Sequence, residues 1–204
     1  MATVHLRPVE RLVFFTDAVV AIAMTLLILP LLESVTDAAK EGLDTAGYLR
    51  AHDGQLVAFA LSFVIIAAFW RSHDRLFEHV EKQDGVLLRL NVAWMFTIVW
   101  LPVATALIGA LETDRLQLAV YIGTMLATSL IALSMRWWLG RRPALVGPGF
   151  AATASALTAP GVSTGLFALA LVLAVTVPGL QFWSLLVLLL EPLVAAVLRR
   201  VRHP

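Results

Sequence analysis

The chain has no cysteine, which removes a disulfide framework, thiolate nucleophiles and thiolate metal sites together. Charge is scarce as well: Asp, Glu, Lys and Arg make up 14% of 204 residues, against about 25% in an ordinary soluble domain. A soluble fold of this size needs more polar surface than that. The formal net charge is +1, so no basic surface argues for nucleic acid. Five histidines are scattered without a His-x-x-x-His or comparable spacing, so no metal site is expected. No nucleophile or paired-carboxylate pattern stands out, so an enzyme and a cofactor are not expected either. No internal repeat divides the chain into matching halves. What fills the sequence is apolar: 60% hydrophobic residues and a mean hydropathy of +0.86.

A helix needs about 20 apolar residues to cross the hydrocarbon core of a bilayer. The chain predicts an all-α, polytopic membrane protein, a single domain over residues 1–204 with spans near 12–32, 54–72, 90–111, 116–138, 161–177 and 181–198. The first run is interrupted only by Thr16, Asp17 and Thr25. It is long and lacks a small-residue cleavage site, so it does not read as a signal peptide. The last two runs are short, and length alone leaves five or seven spans as alternatives. Lys and Arg arbitrate, because they accumulate on cytoplasmic sides. With six spans, 12 of them fall on one side: Arg7, Arg11, Arg71, Arg75, Lys82, Arg89, Arg136, Arg141, Arg142, Arg199, Arg200 and Arg202. The other side holds 3, namely Lys40, Arg50 and Arg115. The bias favours an even count with both termini cytoplasmic, in a multi-pass protein of the cell membrane. The polar segment Arg71 to Gly85 is expected to carry the second helix a few turns beyond the membrane. The first external loop carries Glu33, Asp37, Glu41, Asp44 and Asp53, which reads as a weak cation-attracting vestibule or as plain solvation.

The first helix is the most informative segment. At 100° per residue, Ile22, Leu26 and Leu29 share one face, with Ala18, Thr25 and Glu33 on or beside it and Phe15 and Arg11 at its cytoplasmic end. Any membrane helix shows Leu and Ile at this spacing, so periodicity alone leaves lipid, a partner helix or a pore as what the stripe faces. Asp17 lies about 140° from Ile22 and is expected to face neighbouring helices. An ionisable residue inside a span is a functional hypothesis by default. Its other reading is a structural carboxylate satisfied across helices. Partners stand at the same depth: Thr16 and Arg11 on the first helix, Trp70, Arg71 and His73 on the second, Arg89 and Asn91 on the third. Polar groups in lipid must be paired, so these residues, with Phe15 grouped among them, read as a network that fixes how the first three helices pack. Glu191-Pro192 lies inside the sixth run, where Pro192 frees a carbonyl and kinks the helix. Trp94, Trp100, Trp137, Trp138 and Trp183 fit interfacial belts or helix packing. Arg199, Arg200 and Arg202 fit an anchor near anionic lipid.

Arg11-Leu-Val-Phe-Phe15-Thr16-Asp17 resembles the R-x-x-x-F-[ST]-D signature of the bacterial branch of the lysosomal potassium channel family, transmembrane protein 175. Ala21 to Leu27 is similar to that family's Ala-Ile-x-x-Thr-Leu-Leu continuation. Phe69-Trp70-Arg71-Ser72-His73 resembles its F/Y-W-x-x-H segment, and Asn91 followed by Leu101-Pro102 its third helix. Thr16 replaces the commoner serine and keeps the hydroxyl. The likeness runs from about Arg11 to Gly109; beyond it only hydropathy agrees. The resemblance implies a homotetrameric, potassium-permeable channel for monovalent cations, with the first helix of each subunit lining the pore. It implies Ile22 as the narrowest ring, Leu26 and Leu29 as further hydrophobic layers, and Thr25 as the pore threonine linked to selectivity.

There is no Thr-Val-Gly-Tyr-Gly loop to build a carbonyl cage. A ring of Ile22 side chains would gate by dewetting and pass weakly hydrated ions more readily, hence modest potassium over sodium selectivity. Leu116 to Met135 has no Lys or Arg, so little voltage dependence and a leak-like current are expected. The rival function is a proton-coupled secondary transporter using Asp17, His73 and Glu191. The missing inverted repeat and missing pair of broken helices count against it.

Overall fold

A computed structural model describes residues 7–111, 114–148, 150, 158–177 and 184–187. Its helices in chain order are α1 (Glu10–Leu26), α2 (Leu29–Lys40), α3 (Thr45–Ala51), α4 (Asp53–Phe77), α5 (Gly85–Ala110), α6 (Arg115–Gly140) and α7 (Thr158–Thr176). Four stretches are long and apolar enough to cross a membrane: Glu10–Lys40, Asp53–Phe77, Gly85–Ala110 and Arg115–Gly140. Pro160–Thr176 is a shorter apolar helix. Most of the sixth expected span, with Glu191 and the C-terminal arginines, lies outside the described residues.

The helix starts follow local chemistry. Asp44, Asp84 and Asp114 each cap a helix by accepting from backbone N–H groups of its first turn; α1 has no side-chain cap. The second span runs only to Phe77, less far past Arg71 than its polarity led one to expect, because the chain then turns into β2 (Lys82–Gln83). β2 pairs antiparallel with β1 (Arg7–Pro8). Val80 bridges Val146 beyond a 3₁₀ turn at Pro143–Leu145. The Glu81 N–H reaches the Leu145 carbonyl at 2.9 Å, and the Gly147 N–H the His79 carbonyl at 2.9 Å. These bonds put the start of α1, the α4–α5 loop and the end of α6 on one face of the molecule.

The first span is not one helix. α1 stops at Leu26, Leu27 and Ile28 form a turn, and α2 begins at Leu29 with Pro30 in its first turn. Proline has no N–H and its ring meets the carbonyl four residues back, here Leu26. Leu29 therefore belongs to a second helix. Its place on the stripe, drawn for an unbroken helix, is corrected to a position beyond the break.

α5 is the hub, packed against α1, α4 and α6, and α7 packs against α6. Its fully buried side chains include Trp94, Ile98 and Leu101, with Ile66 of α4 and Tyr121, Ile122 and Met125 of α6 beside them. Between lipid-immersed helices the driving force is close packing rather than removal from water. One close approach depends on glycine: a Cβ at Gly109 of α5 would come within 2.9 Å of Gln55 Cγ on α4. Gln55 Nε2 in turn donates to the Pro30 carbonyl at 3.3 Å, tying α2 to α4.

Candidate functional site: an open helix face and the polar pins behind it

α1 has two unlike faces. Leu12, Thr16, Val20 and Ala23 are buried against the other helices. Arg11, Phe15, Ala18, Ile22, Thr25 and Leu26 are exposed, Ile22 to 59% and Leu26 to 39%. Leu29 and Glu33 continue the exposed side on α2. Between its charged ends, Arg11 and Glu33, this open face carries one polar side chain, Thr25. The Thr25 hydroxyl donates to the Ile22 carbonyl at 2.8 Å, so its proton is turned inward and its oxygen keeps lone pairs to offer outward. Pro30 has no N–H, so it withholds the donor that the Leu26 carbonyl would take in a continuous helix.

Behind that face lies a directional chain of hydrogen bonds. The Thr16 hydroxyl donates to the Leu12 carbonyl at 2.8 Å, which leaves its oxygen as an acceptor. Asn91 Nδ2 donates to Thr16 Oγ1 at 2.8 Å. The Asn91 amide is thereby oriented, and its Oδ1 faces His73 Nε2 at 2.7 Å. His73 must therefore carry a proton on Nε2. Thr16 and Asn91 are fully buried and His73 nearly so. The imidazole is stacked between Phe77 (4.3 Å) and Trp94 (4.5 Å). Asp17, one residue along α1, accepts from Trp70 Nε1 at 2.9 Å. Thr16, Asp17, Trp70, His73 and Asn91 thus join α1, α4 and α5. Arg11, Phe15, Arg71 and Arg89 are exposed and stand outside these bonds. Phe15 in particular was placed in the polar set and instead belongs to the open face, 59% exposed.

A second cluster is absent from the sequence reading. Ser62 Oγ of α4 lies 2.8 Å from the Tyr121 hydroxyl of α6 and accepts from Thr105 Oγ1 of α5 at 2.7 Å. All three are buried. Ser62 was visible as the lone interruption of its run; Thr105 and Tyr121 carried no signal of their own. Ser129 and Thr164 make a similar 2.7 Å contact between α6 and α7. Among the described residues no group of three or more His, Cys, Asp or Glu side chains could hold a metal ion.

Four long apolar helical stretches, pinned together by buried polar pairs, define a polytopic helical membrane protein. The family model for the endosomal/lysosomal potassium channel TMEM175 matches residues 11–102, the stretch that holds the open face and the Thr16–Asn91–His73 chain. A potassium channel of Streptomyces collinus is 33% identical over 152 residues, 72% of this chain and 72% of that protein. The human endosomal/lysosomal proton channel TMEM175 is 27% identical over 139 residues, 68% of this chain but only 27% of the human protein. The fold is shared with a crystal structure of a lysosomal potassium-selective channel TMEM175 homolog from Chamaesiphon minutus: TM-score 0.63 at 23% identity, over 93% of both chains. A structure of the potassium channel MtTMEM175 gives 0.64 at 20% identity, covering 99% of this chain and 97% of that one. The chain belongs to the TMEM175 family.

Proposed function

We propose that this chain is the subunit of a potassium-permeable cation channel in which copies assemble around the open face of α1. The observation that carries the reading is the composition of that face. Thr25 sits among bulky apolar side chains, next to a turn where Pro30 withholds the helical donor of the Leu26 carbonyl, and lipid supplies no substitute donor. Water in a pore does. The bacterial relatives named potassium channels support the permeant ion. One copy of α1 cannot enclose a pathway, so copies assemble; the family likeness makes that assembly a homotetramer of six-helix subunits, in the cell membrane, with the arginine-rich face and both termini in the cytoplasm.

Ile22 is the narrowest ring, with Leu26 and Leu29 as further apolar layers, Leu29 now beyond the helix break. A hydrophobic ring gates by dewetting and favours the less strongly hydrated ion, and the Thr25 oxygen adds a weak site next to it. Selectivity for potassium over sodium is therefore modest and voltage dependence small. The protein performs no catalytic step, and needs no cofactor or metal beyond the permeating ion.

Proton-coupled transport through Asp17, His73 and Glu191 has less support. Asp17 and His73 make separate hydrogen bonds, and the chain from His73 ends on the Leu12 carbonyl through an amide. Purified protein in a planar bilayer separates the two. Unitary current steps that reverse with a potassium–sodium gradient are expected; stepless flux that requires a pH gradient would overturn the channel reading.

A further inference from the structure

The end of α6 holds an arrangement that the ion pathway does not use. Arg141 and Arg142 follow the helix directly, each with its guanidinium over an indole. Arg141 Cζ is 3.8 Å from the Trp137 ring centroid and Arg142 Cζ is 4.6 Å from that of Trp138. Trp138 is itself held, since its Nε1–H reaches both carboxylate oxygens of Asp84, at 3.3 and 3.1 Å. Asp84 also accepts from the N–H groups of Val86 and Leu87 at the start of α5, so its charge is turned inward. Trp137 is 52% exposed. Among the described residues neither arginine has a carboxylate within 4.0 Å.

A guanidinium lying over an indole keeps N–H donors that the ring does not take, and its planar fork matches two phosphate oxygens. The position is the end of a candidate membrane span, the level at which indoles meet lipid headgroups. Two cations are therefore oriented at headgroup depth with no acidic partner from the protein. We propose that Trp137, Trp138, Arg141 and Arg142 bind the phosphate of an anionic phospholipid in the leaflet on this side, with Asp84 as the positioning residue for the Trp138–Arg142 stack. The site is independent of how ions cross.

The test is retention of phosphatidylglycerol against phosphatidylcholine by the purified full chain in zwitterionic detergent, read by native mass spectrometry. The wild type is expected to prefer phosphatidylglycerol. Replacing both cations (R141Q with R142Q) should weaken it about thirtyfold, from two lost basic contacts. Lysine at both positions keeps the charge but loses the stacked fork, and should cost about fivefold. R115Q, at the opposite end of α6, should change nothing. Inorganic phosphate should not displace the lipid. Equal retention of the two lipids, wild-type retention by the double lysine variant, or displacement by inorganic phosphate would each overturn the proposal. If the double glutamine variant does not fold, the double lysine variant against wild type decides alone.

Discussion

α1 and α5 are written in the same apolar alphabet and end in opposite surroundings. α5 buries 11 of its 26 residues, because helices pack on several of its sides; α1 buries 4 of 17, all on one side. Both also expose large apolar side chains. On α5 the open positions from Val92 to Val103, Phe96 and Val99 among them, are uniformly hydrophobic, as a lipid-facing surface should be. On α1 the exposed Ile22 and Leu26 share their face with the Thr25 oxygen. Exposed hydrophobicity alone does not separate a lipid face from a pore face. What separates them is whether polar groups that lipid cannot satisfy lie on the same stripe.

That contrast can be broken or sharpened by mutation. The largest effect is expected where α1 is pinned to α5. Asn91→Leu strips the Thr16 and His73 partners together, and should destabilise the fold by about 2–3 kcal/mol, seen as earlier thermal unfolding in detergent. A loss below about 0.5 kcal/mol would mean that the pin does not hold α1 in place. Next is the open face itself. Ile22→Asn should wet the constriction, raise unitary conductance about tenfold, equivalent to about 1.4 kcal/mol of barrier, and lower potassium over sodium selectivity. An unchanged reversal potential would remove Ile22 from the pathway.

Tyr121→Phe takes one hydroxyl from the Ser62 cluster without opening a cavity. It should cost about 1 kcal/mol of stability and leave the current per channel as it was. The smallest effect belongs to the exposed apolar face of α5. Phe96→Leu should change stability by less than about 0.5 kcal/mol and conductance not at all; a conductance change there would place the pathway against α5 and cancel the comparison.

How much of this was legible follows from what each residue does alone. Asp17, Asn91 and His73 stood out because an ionisable or amide side chain has no unremarked place in a span, and their matching depth pointed to one another. The hydroxyl cluster of Ser62, Thr105 and Tyr121 was not legible, because a hydroxyl in a helix can close on its own backbone. Thr16 and Thr25 both do so, and the pattern of the sequence does not say which hydroxyls will also reach across. The break at Leu27 and Ile28 did have a signal in Pro30. Hydropathy weighs proline's polarity and is blind to its missing donor, so the run looked continuous. Arg141 and Arg142 counted in the sequence only as charges on one side, while their stacking on Trp137 and Trp138 needed coordinates.

By itself the sequence determined that the chain is a membrane protein, where its long helices lie, that its basic residues collect on one side, and which side of the first helix is unlike the other. These are sums over single residues and their angular spacing, and they hold whatever the neighbours are. Only the tertiary structure decided that Phe15 belongs to the open face rather than the polar pins, that Ser62, Thr105 and Tyr121 meet, and that His73 Nε2 donates a hydrogen bond to Asn91. Those outcomes depend on which groups remain unpaired after the helices dock. Where lipid supplies no substitute partner, docking settles which polar groups are paired and which stay open.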